Sequence, residues 1–496
     1  MNTQFNKKII GICLVIFAAV MISPWLNRPF TGHHDFTGAF DSLMARNYLR
    51  YGLIQTKLGQ VTSLAGVQPE NFSYHTHHPP GVPLLIAAVY KIFGEHEWAA
   101  RAEFAAFGLG SVYLLFLLGK NFSGNTGWQA AVLMSSTILF IYVSVMPVYE
   151  SPALFLMLIQ FYGFCRFTET GRKRYLALMT AGAFGGYIIA WVTYFAAPIL
   201  LVNEIRIRRW KYIRLLLTFI GAGAGFFGLH LWHTKILTGS WFGGGLGAIF
   251  LHRLSATEET DPRYAFNLVS YVTTIARRIF DFYGWPILIA AGLGSAVITT
   301  DKTRKNERWL WYVLLGTALS LPIVFRNYVF VHDYLLFYFS PILGLSAAVG
   351  INTILGRLVP KFDDGRWVPA VVATAGLALA GYLSTKIVWQ DLRSSLEWYE
   401  ASKIIGERLR RTTKPGQMIL VMNTKLYDQE MQMQYYADRP ILFPVNGVGS
   451  KATGGLDPDI IVNVTSDYQF PAAALEKILN VYRLETDYGI EYYYRR

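Results

Sequence analysis

Apolar runs of about 17–24 residues recur along this chain, separated by short polar segments rich in Lys and Arg. Runs of that length match what an α-helix needs to cross a hydrocarbon core. The period-two alternation expected of barrel strands is missing from them. With basic loops placed on the cytoplasmic side, the pattern predicts about eleven spans. They fall near residues 9–26, 98–118, 128–146, 152–167, 175–190, 192–204, 212–235, 284–300, 309–325, 333–355 and 367–389. The N-terminus is then inside and the C-terminus outside. Residues 175–204 are short for two spans, but Gly185, Gly186 and Pro198 allow broken or tilted helices; a single long helix would invert every later orientation.

The polar intervals predict three outward regions. Residues 27–97 contain a helix-like stretch, Ala39 to Tyr51, and an apolar one, Val82 to Phe93, too brief to span and suited to the interface. Residues 236–283 open on Gly243-Gly244-Gly245 and end in an amphipathic segment carrying Arg277 and Arg278. Beyond Trp389 the pattern changes to helices near 395–411 and 428–437, with strands near 418–422, 441–443, 460–464 and 481–485. The fold class expected is therefore an all-α polytopic membrane domain, residues 1–389, followed by a small α/β extracytoplasmic domain, residues 390–496. The outer loop 27–97 would carry the site.

Composition agrees with this division. Of 496 residues 53% are hydrophobic and only 16% charged, against roughly 25% in soluble domains, and mean hydropathy is +0.31. The net charge of +13 needs no nucleic-acid partner, because the cations gather at Lys7-Lys8, Arg172 to Arg174, Arg206 to Lys211, Lys302 to Arg308 and Arg357 to Arg366. Cys13 and Cys165 both fall inside predicted spans and read as small core residues. The first apolar run follows Lys7-Lys8 without a cleavage signature, so it reads as a retained signal anchor in a multi-pass cell-membrane protein.

Ionisable groups held against a membrane are costly, which makes them functional candidates. Asp35 begins the first outer loop and reads either as a general base or metal-binding carboxylate, or as a solvated aspartate. Glu150 sits in a tight turn before Ser151-Pro152, where it is either a dipole-favoured anion at a helix start or a second acid at the same face. His75, His77 and His78 precede the stiff Pro79-Pro80-Gly81 and suit metal ligation, anion contact or pH sensing. A divalent metal ion, held by His77 and Glu150, is the one cofactor these residues suggest. Arg326-Asn327-Tyr328 and His332-Asp333-Tyr334 suit either a phosphate-and-sugar cluster or an interfacial aromatic belt.

Three of these segments resemble the GT-C superfamily of membrane glycosyltransferases, in the branch of protein O-mannosyltransferases and lipid A aminoarabinose transferases (glycosyltransferase family 39). They are Asp35 with Ala45-Arg46-Asn47-Tyr48, His78-Pro79-Pro80-Gly81 with Phe93-Gly94 and Arg101, and Glu150-Ser151-Pro152-Ala153-Leu154. His332-Asp333-Tyr334 with Pro341 adds a fourth. The resemblance covers residues 9–165 well, thins to 350 and is absent beyond 390. It implies a polyprenyl-phosphate-linked sugar donor, with Asp35 on the family's first-loop aspartate, the catalytic base. Glu150 falls where relatives often carry Asp. His77 and His78 fall where aminoarabinose-type members carry Glu-Lys, residues tied to metal and donor phosphate. Phe36, and not a second acid, follows Asp35, so a two-acid metal motif does not transfer directly.

The expectation is an inverting glycosyltransferase acting at the outer membrane face on a protein, lipid or glycan acceptor. In it Asp35 is the base, His78, Arg326, His332 and Tyr334 meet substrate, and Glu150 and His77 meet acceptor or metal. A polyprenyl phosphate leaves readily, so a base and a cation suffice. The alternative is a transporter or flippase of lipid-linked intermediates. Such proteins usually carry midplane charges in repeated halves, whereas here the acids and histidines gather at one face. A scaffold displaying the C-terminal domain would explain that domain but not the loop.

Overall fold

In the computed structural model the chain is predominantly helical, and the structure describes residues 3–119, 126–255, 265–358, 367–422, 429–442, 458–464, 472–487 and 490–495. The basic loop after Leu358 and the strand residue Phe443 lie outside these. Two compact units divide the chain: Met1–Asn27 with His75–Asp391, and Arg28–Tyr74 with Leu392–Arg496.

The first unit is helical. Among its described residues four helices are long and apolar enough to cross a membrane: Lys8–Trp25, Glu97–Gly119, Trp210–Thr238 and Asp333–Leu358. Three further pairs, bent by 71°, 107° and 54°, raise the number to seven if each is one span. The difference from the sequence map has local causes. Glu150–Thr170 carries Glu150, Gln160 and Arg166 along its length, while Lys173–Ile189 and Ala196–Arg206 have only 17 and 11 residues. Between the last two, Ala190 is extended (φ −155°, ψ 145°) and Trp191–Phe195 makes a 3₁₀ turn, so this stretch is two helices and not one.

Small residues let these helices approach closely, as expected where neighbouring lipid is as apolar as the side chains. Helix Trp285–Thr300 lies against Ser340–Leu358 through Gly294 and Gly350: a Cβ on Gly294 would fall 1.8 Å from the Ser346 carbonyl, and one on Gly350 2.2 Å from that of Ala290. Gly81 serves the same purpose at the start of the 13-residue helix Gly81–Phe93, since its Cβ would meet the Ile188 carbonyl at 2.5 Å.

The second unit contains a five-stranded sheet: β1 (Ile419–Val421), β2 (Ile441–Leu442), β3 (Ile460–Val464), β4 (Tyr482–Asp487) and β5 (Ile490–Arg495), in the order β2-β1-β3-β5-β4. The first three are parallel, and β5 pairs antiparallel with both β3 and β4. Alternate residues point to opposite faces. Ile419, Val421, Ile460, Val462 and Tyr492 pack with Ile405, Leu409 and Met433, while Leu420, Ile461 and Tyr493 pack with Leu475 and Ile478. Helices thus cover both faces, which a largely parallel centre requires.

Residues 28–74 are built into this unit by polar bonds. The Arg46 guanidinium lies 4.5 Å over the Tyr435 ring and donates to the Tyr435 carbonyl at 2.8 Å. Arg46 and Arg50 both pair with Asp438, and Phe30 N–H donates to Tyr436 Oη at 2.8 Å. Gly294→Val should lower the thermal unfolding midpoint in detergent, by an overpacking cost of about 1–3 kcal/mol. Gly221→Val, where a Cβ meets nothing within 4 Å, should not; equal midpoints would refute the close approach.

Candidate active site

The site is assembled by the peptide Thr76–His78, which is fixed from three directions. The Trp191 indole donates to the His77 carbonyl at 2.7 Å, and His230 Nε2 donates to the Thr76 carbonyl at 2.9 Å. Thr76 Oγ1 donates to the Gly243 carbonyl at 2.8 Å, and His77 Nε2 to that of Gly244 at 2.9 Å. The following Pro79-Pro80 restricts the chain as it enters the next helix. His78 is thereby stacked on Tyr149, ring centroids 4.1 Å apart, and Tyr149 delivers Glu150 as the first residue of its helix.

His77, His78, Tyr149 and Glu150 line one part of a cavity of about 460 Å³ within the first unit. Trp191, Tyr194, Phe195, Phe227, Phe250 and Leu321 make its apolar walls, and Arg253, Tyr328 and Tyr338 complete it. That size and lining are ordinary for a small-molecule or lipid site with a few placed polar groups. Glu150 is 3% exposed, and its Oε2, like Tyr338 Oη, has no hydrogen-bond partner among the described residues. Buried polar atoms are seldom left so without a ligand or water to meet them.

The sequence reading missed Arg253. It lies in the last turn of the short helix Leu246–Leu254, its guanidinium 4.5 Å over the Tyr328 ring, and Asn327 Nδ2 donates to the His252 carbonyl at 2.9 Å to hold that helix end. Arg253 is the one Lys or Arg among the cavity's described lining residues. A His-Arg pair closing an apolar stretch just after three glycines was the available signal.

The imidazoles are held neutral. Burial, then the charge of Arg253, keeps His78 well below the usual histidine range; burial also lowers His75 and His77, against the upward pull of the Gly244 hydrogen bond on His77. His78 can therefore donate or accept a hydrogen bond here, but it does not supply a positive charge. Arg326 does not line the cavity; its guanidinium lies 3.9 Å over the Phe266 ring. His332 stands between Tyr328 and Tyr334, with centroids at 5.0 and 5.4 Å, and Tyr334 is buried beside the cavity residue Leu335. Asp35 belongs to the second unit, where it is buried before helix Phe36–Gln55 and its Oδ2 accepts from Gly32 N–H at 2.8 Å.

His77 donates Nε2–H to the Gly244 carbonyl, which leaves Nδ1 as the nitrogen a metal ion would meet. Among the described residues no third His, Cys, Asp or Glu joins His77 and Glu150 in a three-ligand group.

Residues 77–229 match the family model described as dolichyl-phosphate-mannose-protein mannosyltransferase, a segment that holds the imidazole pair, Glu150 and Trp191. Three solved structures share the fold at 13% identity. ArnT from Cupriavidus metallidurans in the apo state has a TM-score of 0.55, covering 99% of this chain and 98% of that one. The Archaeoglobus fulgidus oligosaccharyltransferase in complex with zinc and sulfate has 0.57, covering 92% and 68%. The Archaeoglobus fulgidus oligosaccharyltransferase AglB, with an inhibitory peptide and a dolichol-phosphate, has 0.56, covering 93% and 70%. No curated protein sequence matches the chain significantly. The apolar helices make this a multi-pass membrane protein, its residues 77–229 resemble the mannosyltransferase family, and its fold is that of ArnT and the oligosaccharyltransferase.

Neutral burial of His78 carries a pH signature. Its folded pKa lies below the unfolded value of about 6.5, so the unfolded chain binds the proton first as pH falls. Stability is full above that value and declines below it. The unfolding midpoint of the wild type should fall on acidification from pH 7 to 5, and His78→Gln should show a shallower decline. An identical slope would show that His78 is not buried neutral.

Proposed function

We propose that this protein is an inverting glycosyltransferase that takes a sugar from a polyprenyl-phosphate donor and transfers it to a protein, lipid or glycan acceptor at the outer face of the cell membrane. The observation that carries the reading is the cavity's division of labour. Aromatic and aliphatic walls suit an isoprenoid chain, and a single guanidinium, Arg253, suits the phosphate that joins chain to sugar. The relatives support the donor class, since one carries dolichol-phosphate by its description and the matched family is named for a dolichyl-phosphate sugar.

The reaction needs little beyond positioning. The acceptor oxygen attacks the anomeric carbon from the side opposite the phosphate, the carbon–oxygen bond to phosphate breaks, and the configuration inverts. A base takes the acceptor proton; Asp35 is assigned that role, on its family position and on a carboxylate steadied by the Gly32 N–H. The departing phosphate gains negative charge, which Arg253 offsets in a water-poor cavity where such interactions are strong. Glu150 and Tyr338 offer buried oxygens for sugar or acceptor hydroxyls. The topology assigned has eleven spans, a cytoplasmic N-terminus and an extracytoplasmic C-terminal domain, consistent with the basic loops.

Two measurements test this. Membranes carrying matched amounts of folded wild type or Asp35→Asn, given labelled polyprenyl-phosphate sugars, should form glycosylated product only with the wild type. Equal transfer would remove Asp35 from catalysis, and vesicle transport of label with no product from wild type would favour a flippase. Arg253→Gln should lower kcat/KM for the donor on the order of a hundredfold. An unchanged value would place the phosphate elsewhere.

A further inference from the structure

A second recess, of about 330 Å³, lies in the same helical unit and shares no lining residue with the cavity above. It is lined by Arg206, Arg209, Lys305 and Arg308, with Cys165, Thr168, Glu169, Trp309 and apolar Leu118, Ile207 and Leu310. These cations come from the segments 206–211 and 302–308, which the charge pattern assigns to the cytoplasmic side.

Positive-inside bias accounts for cations near a membrane surface, but it does not account for how these are arranged. Two charges at the recess are cancelled internally. Arg209 forms a two-bond pair with buried Glu204, at 2.6 and 3.1 Å, and Arg166 pairs with Glu169 at 2.5 Å. Arg206, Arg308 and Lys305 have no carboxylate partner among the described residues. The two guanidiniums are nonetheless fixed. Arg206 gives Nε and Nη2 to Asn203 Oδ1, at 3.0 and 2.7 Å, and lies 4.0 Å over the Tyr312 ring. Arg308 gives Nε to the Ile298 carbonyl at 3.0 Å and Nη2 to that of Asp301 at 2.6 Å.

Each arginine therefore keeps its Nη1 donors uncommitted on a side chain whose direction is already set, and Lys305 adds a mobile ammonium. Three uncancelled positive charges, two of them oriented in advance, line a walled space with apolar sides. From this arrangement we infer that the recess is a binding site for a phosphate group on the cytoplasmic side, separate from the sugar-transfer cavity. A phosphodiester headgroup of an anionic lipid fits both the cations and the apolar sides, and basic pockets between membrane helices commonly take such headgroups. A soluble phosphate would meet the same donors.

The test uses the full-length protein purified in detergent. Thermal protection and retained mass by native mass spectrometry are measured with phosphatidylglycerol, with phosphatidylcholine and with inorganic phosphate. Wild type should be protected by phosphatidylglycerol and not by phosphatidylcholine. Arg206→Gln/Arg308→Gln should lose that protection. Lys305→Gln, which removes an exposed side chain and no internal bond, should weaken it about fivefold. Arg304→Gln is a charge-matched control, since Arg304 pairs with Asp301 and Glu307 and does not line the recess. Protection by phosphatidylglycerol alone identifies a lipid headgroup, and protection by inorganic phosphate alone identifies a soluble ligand. Equal protection by both lipids, or loss in Arg304→Gln equal to that in Lys305→Gln, overturns the proposal.

Discussion

Four hydrogen bonds around the peptide Thr76–His78 set the position of everything else in the cavity. Each is worth on the order of 1 kcal/mol net, but the penalty for breaking one is larger when its partner has nowhere else to turn. Trp191 has only a donor to offer, and the His77 carbonyl is what it meets. Should the peptide shift, the indole N–H would lose its partner, and the same movement would release His230 and the glycine turn at 243–245. The loop is thus tied to a 3₁₀ turn, a long helix and a glycine-rich bend at once. Its imidazoles are held from three sides although the chain around them is not regular, as a preorganised site demands.

That convergence marks what could be read in the sequence. Hydropathy alone locates most helices, and the polar residues standing out against it are Glu150 and the His77-His78 pair, which do line one cavity. Three properties escaped because they depend on contacts between distant segments. Arg253 reads as an ordinary loop cation until helix Leu246–Leu254 is set beside Tyr328. Arg326 looks like the better phosphate ligand until its guanidinium is found over Phe266. Residues 28–74 follow a membrane anchor, yet Arg46 and Arg50 close onto Tyr435 and Asp438, some 390 positions later in the chain. In the C-terminal sheet, helix Ala472–Val481 and strand β5 were not anticipated; the helix packs on the face of Leu420, Ile461 and Tyr493, and β5 joins β4 to β3. The break at Ala190 was legible only as a possibility, because short helices and one long helix share the same composition.

The neutral state of the histidines bears on how the cavity discriminates. An imidazolium beside Arg253 would add a second positive charge in a poorly solvated space, a costly juxtaposition that burial already disfavours. With His75, His77 and His78 uncharged, the cavity holds one fixed cation and one buried carboxyl. In the proposed function, attraction for a phosphate then rests on Arg253, and the histidines contribute direction through hydrogen bonds.

Arginines in this protein sort by what their N–H groups already do. Arg46 and Arg50 are consumed by Asp438, Arg209 by Glu204, and Arg278 by the carbonyls of Val329 and Phe330. Such residues hold the fold, and removing one would leave a buried acceptor unmet. Arg253 differs: its guanidinium face rests on Tyr328, but among the described residues its N–H groups make no hydrogen bond. A ring beneath a guanidinium fixes its plane while leaving the donor edge open, whereas a carboxylate partner would fix the plane by occupying that edge. Arginine stacked on an aromatic ring is therefore the arrangement expected where orientation is needed before a ligand arrives.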